Sequence, residues 1–147
     1  SLKFLNIISA KNIYLSELVY EKAKEGGLQV VLCIPYFYDD KDASEYLELL
    51  IQSCDSIAIM NYYRGKEIEN IRFEVDLASK YGKQVLNIYE LKAPGEHGLK
   101  EINTYHELGI KAAEENFTIL KATFRKSTNI SFALHDFVAL KEVMGYE

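Results

Sequence analysis

"DSIAIMNYYRG", Asp55 to Gly65, is the stretch whose reading decides the fold. Ile57 to Asn61 reads as a strand buried on both faces, because apolar residues run on without the alternation of a strand that has one face in water. Tyr62, Tyr63 and Arg64 follow at once, where the strand leaves its sheet. What they do there depends on the neighbours of that strand.

Upstream, Leu15, Leu18, Val19 and Ala23 fall on one face of a helix that stops at Gly26-Gly27. "LQVVLCIPYFYDD" then supplies a β-branched run, Val30 to Ile34, expected to be a strand covered on both faces. Asp42 and Glu45 stand at capping-box spacing, and Ala43, Leu47, Leu50, Ile51 and Cys54 line the stripe of a second helix that feeds the quoted strand. Downstream, Ile68, Ile71, Val75 and Ala78 form a helix face that ends at Gly82, and "QVLNIYE", Gln84 to Glu90, is a third buried strand. A long connection, Leu91 to Leu108, holds Pro94, Gly95 and Gly98. It leads to a helix stripe of Ile110, Ala113, Phe117, Leu120 and Phe124, a fourth strand "ISFALHD", and a short helix with Leu140, Val143 and Met144.

Four strands, each entered from a helix, predict an α/β fold of alternating β/α units with parallel strands and right-handed crossovers. Residues 1–147 read as a single domain without linker or repeat. Two architectures use such units: the TIM (β/α)8 barrel, which needs about 250 residues, and an open doubly wound, flavodoxin-like sheet. At 147 residues the chain fits half of the barrel. Both architectures place function in the loops after the carboxyl ends of the strands. Those ends gather Tyr36, Tyr38, Asp39 and Asp40, then Met60, Tyr62, Tyr63 and Arg64, then Tyr89 and Glu90, then His135 and Asp136. Tyrosine faces stack on sugar rings, and carboxylates serve as acid, base or nucleophile at a glycosidic carbon.

Composition narrows the partners. Hydrophobic residues make up 48% of the chain, enough for a core without disulfides or metals. A net charge of −5, from 22 acidic and 17 basic residues spread along the sequence, provides no basic stripe for nucleic acid. No apolar run reaches the roughly 20 residues of a membrane span, and no signal-peptide order opens the chain. Cys33 and Cys54 read as reduced core residues. His97 and His106 do not match metal-ligand spacing, so neither a metal nor a cofactor is expected.

Most rim residues also carry a plainer reading. Glu90 is either a functional carboxylate or the partner of a neighbour such as Arg64. His135 is a proton carrier or a cap on a backbone carbonyl, Tyr63 packs under a helix, and Asp39-Asp40 is a surface pair that compensates a helix dipole rather than a cation site.

"MNYYRG", then "GKQVLNIYE", then a loop with proline and glycine, then "ISFALHDF" resembles the last strands of bacterial TIM-barrel proteins of the glycosidase or amidase type. "DSIAIMNYYRG" resembles the sixth-strand pattern of the chitinase-like family 18 glycoside hydrolases. The resemblance covers roughly Val30 to Met144. It implies a segment acting on or binding a cell-surface or cell-wall glycan outside the cytoplasm. Glu90 would be its carboxylate, and Tyr62, Arg64 and His135 its substrate contacts; the strand-end set itself adds Tyr36, Tyr38 and Asp39 as further candidate contacts on the first strand. The acid-bearing strand of that family has no counterpart here. The chain, which opens on "SLKFLNIISA" without a methionine, is then expected to be strands five to eight of a longer barrel, inactive in isolation and self-associating through its open sheet edges. The competing reading is a non-catalytic α/β binding or interaction module.

Overall fold

The computed structural model describes residues 10–39 and 44–146. Helix α1 (Ala10–Glu25) leads to strand β1 (Val31–Pro35), α2 (Ser44–Gln52) to β2 (Ser56–Met60), and α3 (Glu67–Lys80) to β3 (Gln84–Glu90). Two single 3-10 turns, Glu96–Gly98 and Glu101–Asn103, precede α4 (Gly109–Thr123), β4 (Ile130–His135) and α5 (Phe137–Val143). The helix stops expected at glycine are real: Gly27 and Gly82 take φ of +70° and +64°, which a side chain would oppose. The Asp42–Glu45 capping box and Asp40 lie outside the described residues.

The four strands are parallel and stand in sequence order, β1-β2-β3-β4. The fold is therefore α/β, with strands alternating with helices. Because the order never reverses, each right-handed crossover puts its helix on the same side, as in consecutive barrel strands. The core follows that side. Ile34, Ile57, Ile59, Val85 and Ile130 share one sheet face and pack against Leu47 and Ile51 of α2, Ile71 and Val75 of α3 and Leu120 of α4. Each such side chain contributes about 1.5–3 kcal/mol by leaving water. Nearer the carboxyl ends, Tyr89, Tyr105, Ala113 and Ala139 form a second cluster with Phe132 and Leu134.

The opposite face departs from the expectation of strands buried on both sides. Val31 and Cys33 of β1 are exposed, and Met60, Leu86, Ile88 and Ala133 are only half-buried. Cys54 is a buried core thiol as expected, whereas Cys33 is not. The physical reason is that, among the described residues, helices cover one face only. An apolar run in the sequence does not say which element covers it. The stripe of α1 is likewise uncovered, with Leu15, Leu18 and Val19 all exposed. Tyr20 and Lys24 tie that helix to Asp55, whose carboxylate also accepts from the Val30 N–H at 2.7 Å.

Candidate functional site

At the carboxyl end of β3, Glu90 ends the strand with its side chain on the uncovered face, beside His135 at the matching position of β4. The carboxylate is buried, 3% exposed. Its Oε1 accepts from the backbone N–H groups of Leu91 and Lys92, at 3.0 and 2.9 Å. Its Oε2 lies 3.0 Å from His135 Nδ1. A carboxylate accepts from Nδ1–H, and in the neutral imidazole Nε2 then presents its lone pair. The His135 side chain is 45% exposed, at the mouth of the sheet. Glu90 thus orients the imidazole, and its own oxygens are engaged.

Tyr62, just past β2, stacks on the His135 ring with centroids 6.1 Å apart and planes 25° apart. Burial pushes the Tyr62 hydroxyl well above the usual phenol range, and the charge of Glu90 adds to it, so the phenol is neutral. Asp136 caps α5 by accepting from Val138 and Ala139 N–H at 3.0 and 3.1 Å, and its other oxygen meets Lys92 Nζ at 3.2 Å. Those backbone bonds first, and Lys92 second, hold its carboxyl below the ordinary range.

The remaining sequence-derived candidates lie elsewhere. Arg64 turns from the Glu90–His135 pair. Its Nη2 donates to the Glu101 carbonyl at 2.6 Å and its guanidinium sits 5.8 Å from the Tyr105 ring centroid. It does not pair with Glu90: it clasps the β3–α4 loop. Tyr36 and Tyr38 pack against the helix-side core, because residues after Pro35 turn to the covered face. Asp39 is exposed and acts on buried Glu74 rather than on the pair. Tyr63 is 36% exposed and its ring lies 6.4 Å from that of Tyr36. The site the structure assembles is therefore Tyr62, Glu90 and His135.

Two features escaped the sequence. A buried amide network joins the strand ends: Asn61 Nδ2 donates to Asn87 Oδ1 at 2.8 Å and to the Glu67 carbonyl at 3.0 Å, and Asn70 donates to Asn61 Oδ1 at 2.9 Å. The signal available was an asparagine inside each apolar strand run. The β3–α4 loop is also fastened over Glu101 to Tyr105. Thr104 Oγ1 donates to the Glu90 and Lys92 carbonyls, Asn103 Nδ2 to the Tyr62 carbonyl at 2.6 Å, and Tyr105 hydroxyl to Glu67. Among the described residues no three His, Cys, Asp or Glu side chains gather as a metal site, and no helix is long and apolar enough to cross a membrane.

No protein-family model matches the chain, and no curated protein and no solved structure matches it.

Proposed function

We propose that the chain is part of a glycoside hydrolase-like TIM barrel that binds a cell-surface or cell-wall glycan at the carboxyl-end mouth of its strands. The observation that carries this reading is the histidine held at Nδ1 by a buried carboxylate, with a neutral tyrosine stacked beside it. Such an imidazole accepts a hydrogen bond from a ligand hydroxyl through Nε2, or takes its proton. The order of strand-end motifs in the sequence supports the same class. Among the described residues β1 and β4 each pair on one side only, which favours self-association of the chain when the rest of the barrel is missing.

Hydrolysis by two carboxyl groups needs both free to face the bond. Glu90 is fully engaged and Asp136 is occupied by its helix cap and Lys92. That favours binding without turnover by this chain, with cleavage left to an acid from elsewhere in a longer barrel. Calorimetry with chito-oligosaccharides and peptidoglycan fragments tests the reading. Tyr62→Ala and His135→Ala should each weaken binding by about 1–3 kcal/mol, through lost stacking and a lost hydrogen bond, without unfolding the chain. No binding heat from the unaltered chain, with both variants merely less stable, would sink it.

A further inference from the structure

We infer that the strand-end site hydrolyses a carboxylic ester, with His135 activating water, Tyr62 donating to the charge that builds on the carbonyl oxygen, and Glu90 acting as the positioning residue. The glycosidic bond stays uncut by this chain, since that cleavage calls for two free carboxyl groups and both carboxylates at the mouth are engaged. An ester needs one base and one hydrogen-bond donor. The inference rests on the glycan reading only for the sugar that would carry the ester.

Glu90 Oε2 lies 3.0 Å from His135 Nδ1, and Oε1 is tied to the Leu91 and Lys92 N–H groups, so the carboxylate cannot swing away without giving up two backbone bonds. It aims the ring, leaves Nε2 of the neutral imidazole for water, and steadies the imidazolium that forms when Nε2 takes a proton. Lys92 and Asp136, the charged groups next along the two strand ends, pair with each other at 3.2 Å. The Tyr62 ring is stacked on the imidazole with centroids 6.1 Å apart, close enough for one small ester group to touch both. Tyr62 is half-buried, and its hydroxyl donates to no group among the described residues. Burial keeps that phenol protonated, so it serves as a donor to an oxyanion and not as the base.

The step balances with water as the one co-reactant. His135 Nε2 takes a proton from the water as the water oxygen bonds to the ester carbon, and the carbonyl oxygen takes up the displaced electron pair facing the Tyr62 hydroxyl. When the carbonyl re-forms, the bond to the alkoxy oxygen breaks and the Nε2 proton moves to that oxygen. A carboxylic acid and an alcohol leave, and the imidazole is neutral again.

Acetate release, followed by NMR, tests this on an O-acetylated chito-oligosaccharide and on glycerol triacetate, which has no sugar ring. The chain should outpace the same concentration of free imidazole by about 100-fold or more, at a rate that rises with pH and levels off once the ring is neutral. His135→Ala and His135→Gln should abolish the excess. Tyr62→Phe should lower kcat about tenfold or more with KM unchanged, and Glu90→Gln should lower kcat and move the rise to lower pH, because the imidazolium loses its counter-charge. Circular dichroism reports that each variant folds. Cys33→Ser should leave the rate unchanged, and a rate lost there would assign the chemistry to a thiol and overturn the inference. Triacetate hydrolysis that disappears in the His135 variants upholds it even where calorimetry finds no glycan binding. Glycan binding without acetate release above the imidazole rate, a rate that survives both His135 variants, or a Tyr62→Phe effect confined to KM would each overturn it.

Discussion

Glu90 Oε2 and His135 Nδ1 lie 3.0 Å apart across the β3–β4 junction, while Glu90 Oε1 holds the two N–H groups that begin the next loop. One buried carboxylate therefore aims a ring and anchors a chain reversal. Glu90→Leu should cost about 1–3 kcal/mol, because it strands the Lys92 N–H and the imidazole N–H. Glu90→Gln, which keeps an acceptor, should cost less. Urea denaturation of the two variants checks this, and equal stability of Glu90→Leu and the parent would refute the anchoring role.

Glu74 of α3 is fully buried and neither carboxylate oxygen has a hydrogen-bond partner. Burial pushes its carboxyl up to about 8, with the nearby charge of Asp39 adding to the shift. The folded chain then keeps a proton that the unfolded chain releases near pH 4.5. Stability from this group is complete below that pH and lost as the pH rises through about 8. Glu74→Met should remove the slope and stabilise the chain by about 2–4 kcal/mol at pH 8. Melting curves from pH 5 to 8.5 that run parallel for parent and variant would contradict it.

Arg64→Ala should lower stability by about 1–3 kcal/mol, since the Glu101 carbonyl loses a charged donor at 2.6 Å. Glycan affinity should stay within about twofold, as the guanidinium faces the loop and not His135. Melting and calorimetry on the same variant separate the two effects. A large affinity loss at unchanged stability would return Arg64 to the binding site.

The amide network gives an asymmetric expectation. Asn61 makes three side-chain bonds, whereas Asn87 offers one acceptor and leaves its own buried Nδ2 without a partner. Asn61→Ala should therefore cost more than Asn87→Ala, about 2–3 against about 1 kcal/mol. The reverse order in denaturant unfolding would mean that the network matters less than packing.

Strands β2, β3 and β4 were legible because apolar runs bounded by glycine or polar residues leave few alternatives. The rim of β3 and β4 was legible too, since a strand's last residue fixes which face its side chain takes. Val31, Cys33 and the stripe of α1 were misjudged for a different reason. Their apolar character predicts burial, but nothing among the described residues covers them. Arg64 was assigned to the ligand because chain position placed it at a strand end. Its carbonyl partner is 37 residues away, and no local pattern encodes that. Glu74 sits between Ile71 and Val75 on a helix face that reads as apolar, and no local pattern marks a lone carboxylate there as buried.

The fastened loop after β3 bears on the kinetics of whatever enters the mouth. Its second 3-10 turn is pinned by Thr104 to the end of β3, by Asn103 to Tyr62 and by Arg64 to Glu101. That part of the wall is held in place before a guest arrives. Capture should then be a single step, with an observed rate that climbs linearly with ligand concentration and never levels off at the speed of a rearrangement.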